Sequence, residues 1–164
     1  MFATQGLQAK GITQIREGLA AHRAAGAKLW RPYFLSLLAE AYEESGEIRD
    51  GLCIVDDALA MMNDTGERWW AAELYRLKGQ LLLRQEDPDE QQAVTCFYEA
   101  LKIAHCQRAK SLELRAALNL IHLWQQQGKR DQARQLLAPI YGWFTEGFDT
   151  ADLQEAKALL EALG

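Results

Sequence analysis

The sequence predicts an all-α fold, a solenoid of antiparallel helix pairs with about eight helices. Two observations carry the prediction. Apolar residues recur at helical spacing: Ile54, Val55, Ala58, Leu59 and Met62 fall at i, i+1, i+4, i+5 and i+8, and Leu112, Ala116, Ala117, Leu120, Ile121 and Trp124 form a similar stripe. No alternating strand pattern stands beside them. The second observation is a repeat. The small residues Gly11, Gly51, Ala93 and Ala133 are spaced by 40, 42 and 40. Four positions on from each stands an apolar residue (Ile15, Val55, Phe97, Leu137), and three further on stand Gly18, Ala58, Ala100 and Ile140. A fixed period near 40 marks stacked units, each burying its face only against its neighbours.

Each element follows from this period and its punctuation. A lone helix is expected over 8–25, then pairs at 30–45 with 48–64, 68–86 with 89–106, and 109–127 with 130–144, and a last helix over 150–163. Together they make one domain, 1–164. Gly26, Gly46, Gly66, Gly128 and Gly147 fall near the helix ends. Pro32 sits in the first turn of its helix, where the missing N–H does no harm, and Pro88 stands at the start of another. Asp149 or Thr150 is a natural cap for the last helix. Pro139 lies inside 130–144 and is expected to kink that helix or end it early.

The first helix of each pair has its own pattern. Leu35, Leu38, Ala39 and Tyr42 match the tetratricopeptide signature W-x2-L-G-x2-Y in spacing and nearly in type. Tyr75, Lys78, Gly79 and Leu82 give a weaker copy, and Ala117, Leu120, Ile121 and Trp124 the weakest. The small residue lets the second helix cross closely while the aromatic fills the groove beside it. The stack is therefore tetratricopeptide-like, with a period above the 34 of the standard repeat and correspondingly longer helices.

Three stretches, GERWWAAELYRLKGQLLL (66–83), AKSLELRAALNLIHLWQQQGKR (109–130) and LAPIYGWFTEGFDTADLQEAKALLEAL (137–163), carry a more specific resemblance. They resemble the C-terminal tetratricopeptide region of large bacterial signalling proteins that join a class III adenylate/guanylate cyclase domain, or a DNA-binding domain, to an AAA-type ATPase and then to such repeats. The resemblance covers nearly the whole chain. It implies a scaffold or regulatory module and brings no catalytic motif. Because the chain starts with the second helix of a unit, it reads as a fragment, or a short gene, cut from a longer solenoid.

Composition narrows the function. With 49% apolar and 25% charged residues the 164-residue chain can bury a core without disulfides or metal. A net charge of −5 argues against nucleic acid as partner. No apolar run approaches the roughly 18 residues that span a bilayer, and no secretory signal is evident at the N-terminus. Cys53, Cys96 and Cys106, odd in number and irregular in spacing, read as reduced thiols in a cytoplasmic protein. Charge is uneven: residues 40–67 hold nine acids and one base, residues 102–134 seven bases and two acids. Such asymmetry can steer association.

Enzyme parts are missing. There is no phosphate-cradling G-x-x-x-x-G-K-[ST] loop, no G-x-G-x-x-G and no G-x-S-x-G elbow. His105 and Cys106 are adjacent, hence about 100° apart on a helix, and neither has a second ligand at i+3 or i+4, so no metal and no cofactor is expected. Glu40, Glu43, Glu44 and Glu47 read as a solvated acidic helix end rather than acid–base machinery. Tyr141, Trp143, Phe144 and Phe148 read as a capping core under the last helix. Trp69 and Trp70 read as packing between repeats; a pocket lined by them and Tyr75 would instead favour a small-molecule sensor controlling an attached effector.

The remaining candidate is a groove. If Ala39, Gly79 and Ile121 are buried, one exposed face of the first helices carries Tyr33, Ser36, Glu40 and Glu43, then Glu73, Arg76, Gln80 and Leu83, then Arg115, Leu118, His122 and Gln125. These twelve are the expected peptide-binding positions, with an ordinary wet surface as the alternative. Arg76 and Arg115 suggest a grip on an acidic or C-terminal carboxylate peptide. The expected function is a non-catalytic protein–protein interaction scaffold. Self-association is left open: the first helix presents Ile12, Ile15 and Leu19 on one face, and Leu7, Gln14 and Ala21 on the other, which could pair as a weak homodimer, while Gln5, Gln8, Gln14 and Arg16 are polar enough to keep it monomeric.

Overall fold

The structure, a computed structural model, describes residues 2–26, 30–66 and 68–164, with the side chains of residues 2–9 and 65 left aside. Glu67 and the side chains of Gln5, Leu7 and Gln8 therefore lie outside the described residues. The described residues are all-helical, with no strand. Eight helices follow in order: α1 (Phe2–Ala24), α2 (Arg31–Ser45), α3 (Ile48–Thr65), α4 (Ala71–Leu83), α5 (Glu90–Gln107), α6 (Lys110–Gln126), α7 (Arg130–Tyr141) and α8 (Ala151–Leu163).

The ends have local causes. Gly46 and Gly66 take left-handed conformations at φ 82° and 73° and return their N–H groups to carbonyls of the last turns of α2 and α3. Asp89 caps α5, its carboxylate accepting from the Gln92 N–H at 2.8 Å. Thr150 stands at the N-cap of α8, but its hydroxyl donates back to the Gly147 carbonyl at 2.8 Å instead of accepting from the helix. α7 closes at Tyr141, two residues past Pro139 and three short of the expected 144. α1 starts six residues before the expected 8, and α4 is shorter than 68–86 at both ends.

Packing follows chain order. Each helix touches the next, and beyond that α2 touches α4, α4 touches α6 and α6 touches α8. Among the described residues the backbones of the odd-numbered helices do not come within 8 Å of one another. The repeat positions explain the stacking: Val55, Phe97 and Leu137, together with Ala58, Ala100, Ala93 and Ala133, are wholly buried. Gly79 allows a close crossing, because a Cβ there would stand 2.5 Å from the Phe97 ring. Gly11 and Gly18, at the matching positions of α1, meet nothing within 4 Å.

The core is graded. A large cluster built around Phe97, Leu120, Ile121 and Leu137 joins α4 to α8. A second, around Val55, Met62, Leu74 and Leu81, joins α2 to α4. Among the described side chains a smaller cluster, Ile12, Leu38 and Tyr42 with Ile15 and Leu19 beside them, holds α1 to α2, with His22 edge-on against Phe34 at 5.6 Å.

Candidate ligand-binding face

The even-numbered helices bring their outward side chains to one face. At its centre lies an open cleft of about 470 Å3 lined by Glu40 from α2, Glu73, Arg76 and Gln80 from α4, Arg115, Leu118 and Asn119 from α6, and Asp152 and Glu155 from α8. Six of the twelve expected groove residues thus meet in one place.

Glu73 is the buried centre of the cleft, only 2% exposed. It lies in the first turn of α4, where the helix dipole favours a carboxylate. Its Oε1 accepts from Arg76 Nη2 at 2.7 Å and lies 3.8 Å from Arg115 Nη1. Its Oε2 is buried without a hydrogen-bond partner. Arg76, nearly buried, also donates to the side-chain oxygens of Gln80 and Asn119 and lies 3.7 Å from Glu40. Burial pushes the Glu40 carboxyl above its ordinary pKa, with the Glu73 charge adding to the rise and Arg76 and Arg115 opposing it. Arg115 donates through Nε to Asp152 at 2.8 Å, and that hydrogen bond raises its pKa further. His122 meets Glu155 at 2.5 Å.

A second cleft of about 330 Å3 continues the face, lined among others by Glu43, Gln80, Leu83, Asn119 and His122. There Arg84 donates to Glu43 at 3.0 Å. Gln125 lies half-buried farther along α6, and Leu83 and Leu118 also belong to the large core cluster.

Two expected lining residues are spent elsewhere. Ser36 is buried: its hydroxyl donates to the Tyr33 carbonyl at 2.7 Å and accepts from the Trp70 indole at 2.9 Å. Tyr33 stacks edge-on with Trp70 at 5.3 Å, within an aromatic group that includes Trp30, Phe34 and Trp69. Tyr33 and Ser36, in the first turns of α2, thus face this group instead of the charged cleft. The expected free arginine grip is also corrected. Both guanidinium groups are answered by carboxylates of the chain itself, Arg76 by Glu73 and Arg115 by Asp152.

Asn119, Asp152 and Glu155 were not among the expected residues. The signal for the last two is register. Asp152 and Glu155 are spaced by three, as are Glu73 with Arg76 and Arg115 with Leu118, so α8 continues the lining in addition to closing the stack.

The aromatic residues weighed for a small-molecule pocket separate. Trp69 packs against Trp30 at 4.9 Å, and Trp70 bonds to Ser36. Tyr75 lines a different cleft of about 350 Å3, with Leu59, Met62 and Cys106, in which neither indole takes part. At the C-terminal end, Tyr141 and Phe144 pack on the core, while Trp143 and Phe148 stay largely exposed. The expected sealed cluster is thus only half made, because the turn after α7 carries those two rings outward. His105 goes to Glu113 at 3.1 Å. Among the described residues no three His, Cys, Asp or Glu side chains converge as metal ligands, and no helix is long and apolar enough to cross a membrane.

No protein-family model matches the sequence. Over 109 residues, 66% of its length, the chain is 30% identical to an uncharacterized protein of Rhizobium meliloti (strain 1021). The match spans only 10% of that relative.

Proposed function

We propose that the chain is a tetratricopeptide-like α-solenoid of antiparallel helix pairs, and that its α2–α4–α6–α8 face binds an extended segment of another polypeptide without bond chemistry. The observation that carries this reading is the pattern of contacts. Among the described residues successive even-numbered helices bring their backbones within 8 Å of one another and odd-numbered ones do not, which gathers polar side chains of four helices along one continuous face. Stacked helix pairs build extended concave binding surfaces in this way. The setting we propose is a cytoplasmic, non-catalytic module of a bacterial signalling protein of the cyclase/ATPase type. The scaffold phrases at 66–83, 109–130 and 137–163 support it, as does a bacterial relative of which the matched stretch is a tenth. A weak homodimer through α1 is compatible with this arrangement, since the binding face lies on other helices.

Selection of peptides from a random display library tests the reading. The counter-target is a variant altered only at partly or fully exposed positions of the face, Glu43→Ala, His122→Ala and Gln125→Ala. Selected peptides should bind the variant at least tenfold more weakly. Peptides that bind both proteins equally would place recognition elsewhere and end the proposal.

A further inference from the structure

The cleft at the centre of the face is short of positive charge. Four carboxylates, Glu40, Glu73, Asp152 and Glu155, stand against two guanidinium groups, Arg76 and Arg115. The imbalance is sharpest at Glu73. Its Oε1 is held by Arg76 Nη2, while its Oε2 is buried with no donor and Arg76 Nε beside it is buried with no acceptor. A buried charged oxygen left unpaired is costly, and a cation brought to it recovers that cost. Glu40, beside it, shows the same shortage: burial and the Glu73 charge both push its carboxyl toward the protonated form. An acidic ligand would add negative charge to a cleft that already has an excess.

The geometry of the free acceptors selects the kind of cation. A guanidinium group binds best as a fork on both oxygens of one carboxylate. Glu73 cannot offer both, since Arg76 holds one. An ammonium group is compact and directs three donors at separate oxygens. Glu73 Oε2 and the half-exposed Glu40 carboxylate offer such separate sites. Arg115, 44% exposed, borders the same cleft, bonded through Nε to Asp152 with its Nη1 3.8 Å from Glu73.

We propose that this cleft binds the ammonium group of a lysine side chain carried by the polypeptide that the face receives. The proposal rests on the interaction reading above and names the chemistry of the partner: a lysine-bearing segment, not an acidic one.

The test is amide chemical-shift titration of the 15N-labelled chain. The probes are nine-residue glycine/serine peptides with two central lysines, two acetyl-lysines or two glutamates, and free spermidine. The lysine peptide should shift amides around Glu40, Gln80 and Asn119, with acetylation weakening binding at least fivefold. Because Glu73 is buried against Arg76, Glu73→Gln can cost the fold, so half-exposed Glu40→Gln is the second variant and should weaken the lysine peptide at least threefold. Equal binding of the lysine and acetyl-lysine peptides, or preference for the glutamate peptide, overturns the ammonium site while leaving a polypeptide-binding face intact. Spermidine binding more tightly than the lysine peptide overturns the polypeptide source of the ammonium. If no peptide shifts this face at millimolar concentration, the interaction reading falls as well.

Discussion

Gly79 and Gly18 occupy helix interiors under opposite conditions. At Gly79 an added Cβ would stand 2.5 to 2.9 Å from three atoms of the Phe97 ring, and that ring is wholly buried. At Gly18 nothing lies within 4 Å. Replacing glycine by alanine gains about 1 kcal/mol of helix propensity at either site. Overpacking a filled core costs about 1–3 kcal/mol, which outweighs the gain only at Gly79. Urea denaturation should therefore show Gly79→Ala destabilised and Gly18→Ala equal to or more stable than the parent; a stabilised Gly79→Ala would mean that the α4–α5 crossing is looser than described. Glu40 allows a pH prediction of known sign. Its carboxyl titrates above its ordinary value, so its contribution to stability is fully present below about pH 4.5 and is lost as pH rises through the raised folded value. Glu40→Gln should be at least as stable as the parent at pH 7, and the parent should gain on it as the pH falls to 4. Denaturation midpoints at the two pH values check this; a parent clearly more stable at pH 7 would mean that the Arg76 attraction outweighs burial.

At the scale of helices, what could be read in the chain was periodic and what could not was contingent on neighbours. Three copies of the small-apolar pattern, at Gly51–Val55–Ala58, Ala93–Phe97–Ala100 and Ala133–Leu137–Ile140, become buried crossings, and the stripe that defines them is visible without coordinates. The fourth copy, Gly11–Ile15–Gly18, has the same spacing but only Ile15 is drawn toward the core, because no helix presses on α1 at its glycines. Spacing records what a helix can pack, not whether a partner is there. The charged face was legible to the same extent. Glu40, Glu73, Arg76, Gln80, Arg115 and Leu118 meet in the cleft because position on a helix fixes direction. Ser36 and Tyr33 share that register, yet they are diverted by the Trp70 indole, a contact across 34 residues that local spacing does not encode. The sign of the site was the least legible feature. Arg76 and Arg115 look available until α8 folds back and sets Asp152 beside one, and the i,i+3 partner Glu73 claims the other.

For the whole molecule, close backbone approaches among the described residues run between helices one or two apart in the chain, which on the solenoid reading proposed above makes stability a local property. A solenoid is held by the sum of its interfaces, so the proposed arrangement should open at its ends before its middle. The described interfaces are unequal. Phe97, Leu114, Leu120, Ile121 and Leu137 fill the centre of the large cluster, and Leu74, Leu77 and Leu81 of α4 close the one before it. Among the described side chains of α1 only Ile12 is buried, with Ile15 and Leu19 half-covered and His22 against Phe34. α8 is better anchored: it buries Leu153 and Ala156, and its acidic side chains bond to Arg115 and His122 on α6. Opening should therefore begin at α1 and spread through α2 and α3, with α4, α5 and α6 holding longest. Native-state hydrogen exchange read by mass spectrometry, at urea concentrations below the unfolding transition, resolves the order. Amides of α1 should exchange first and with little dependence on urea, those of α4 to α6 last and with a dependence approaching that of global unfolding. A single exchange free energy shared by every helix would show instead that the stack opens only as one unit, and that the unequal interfaces have no bearing on its opening.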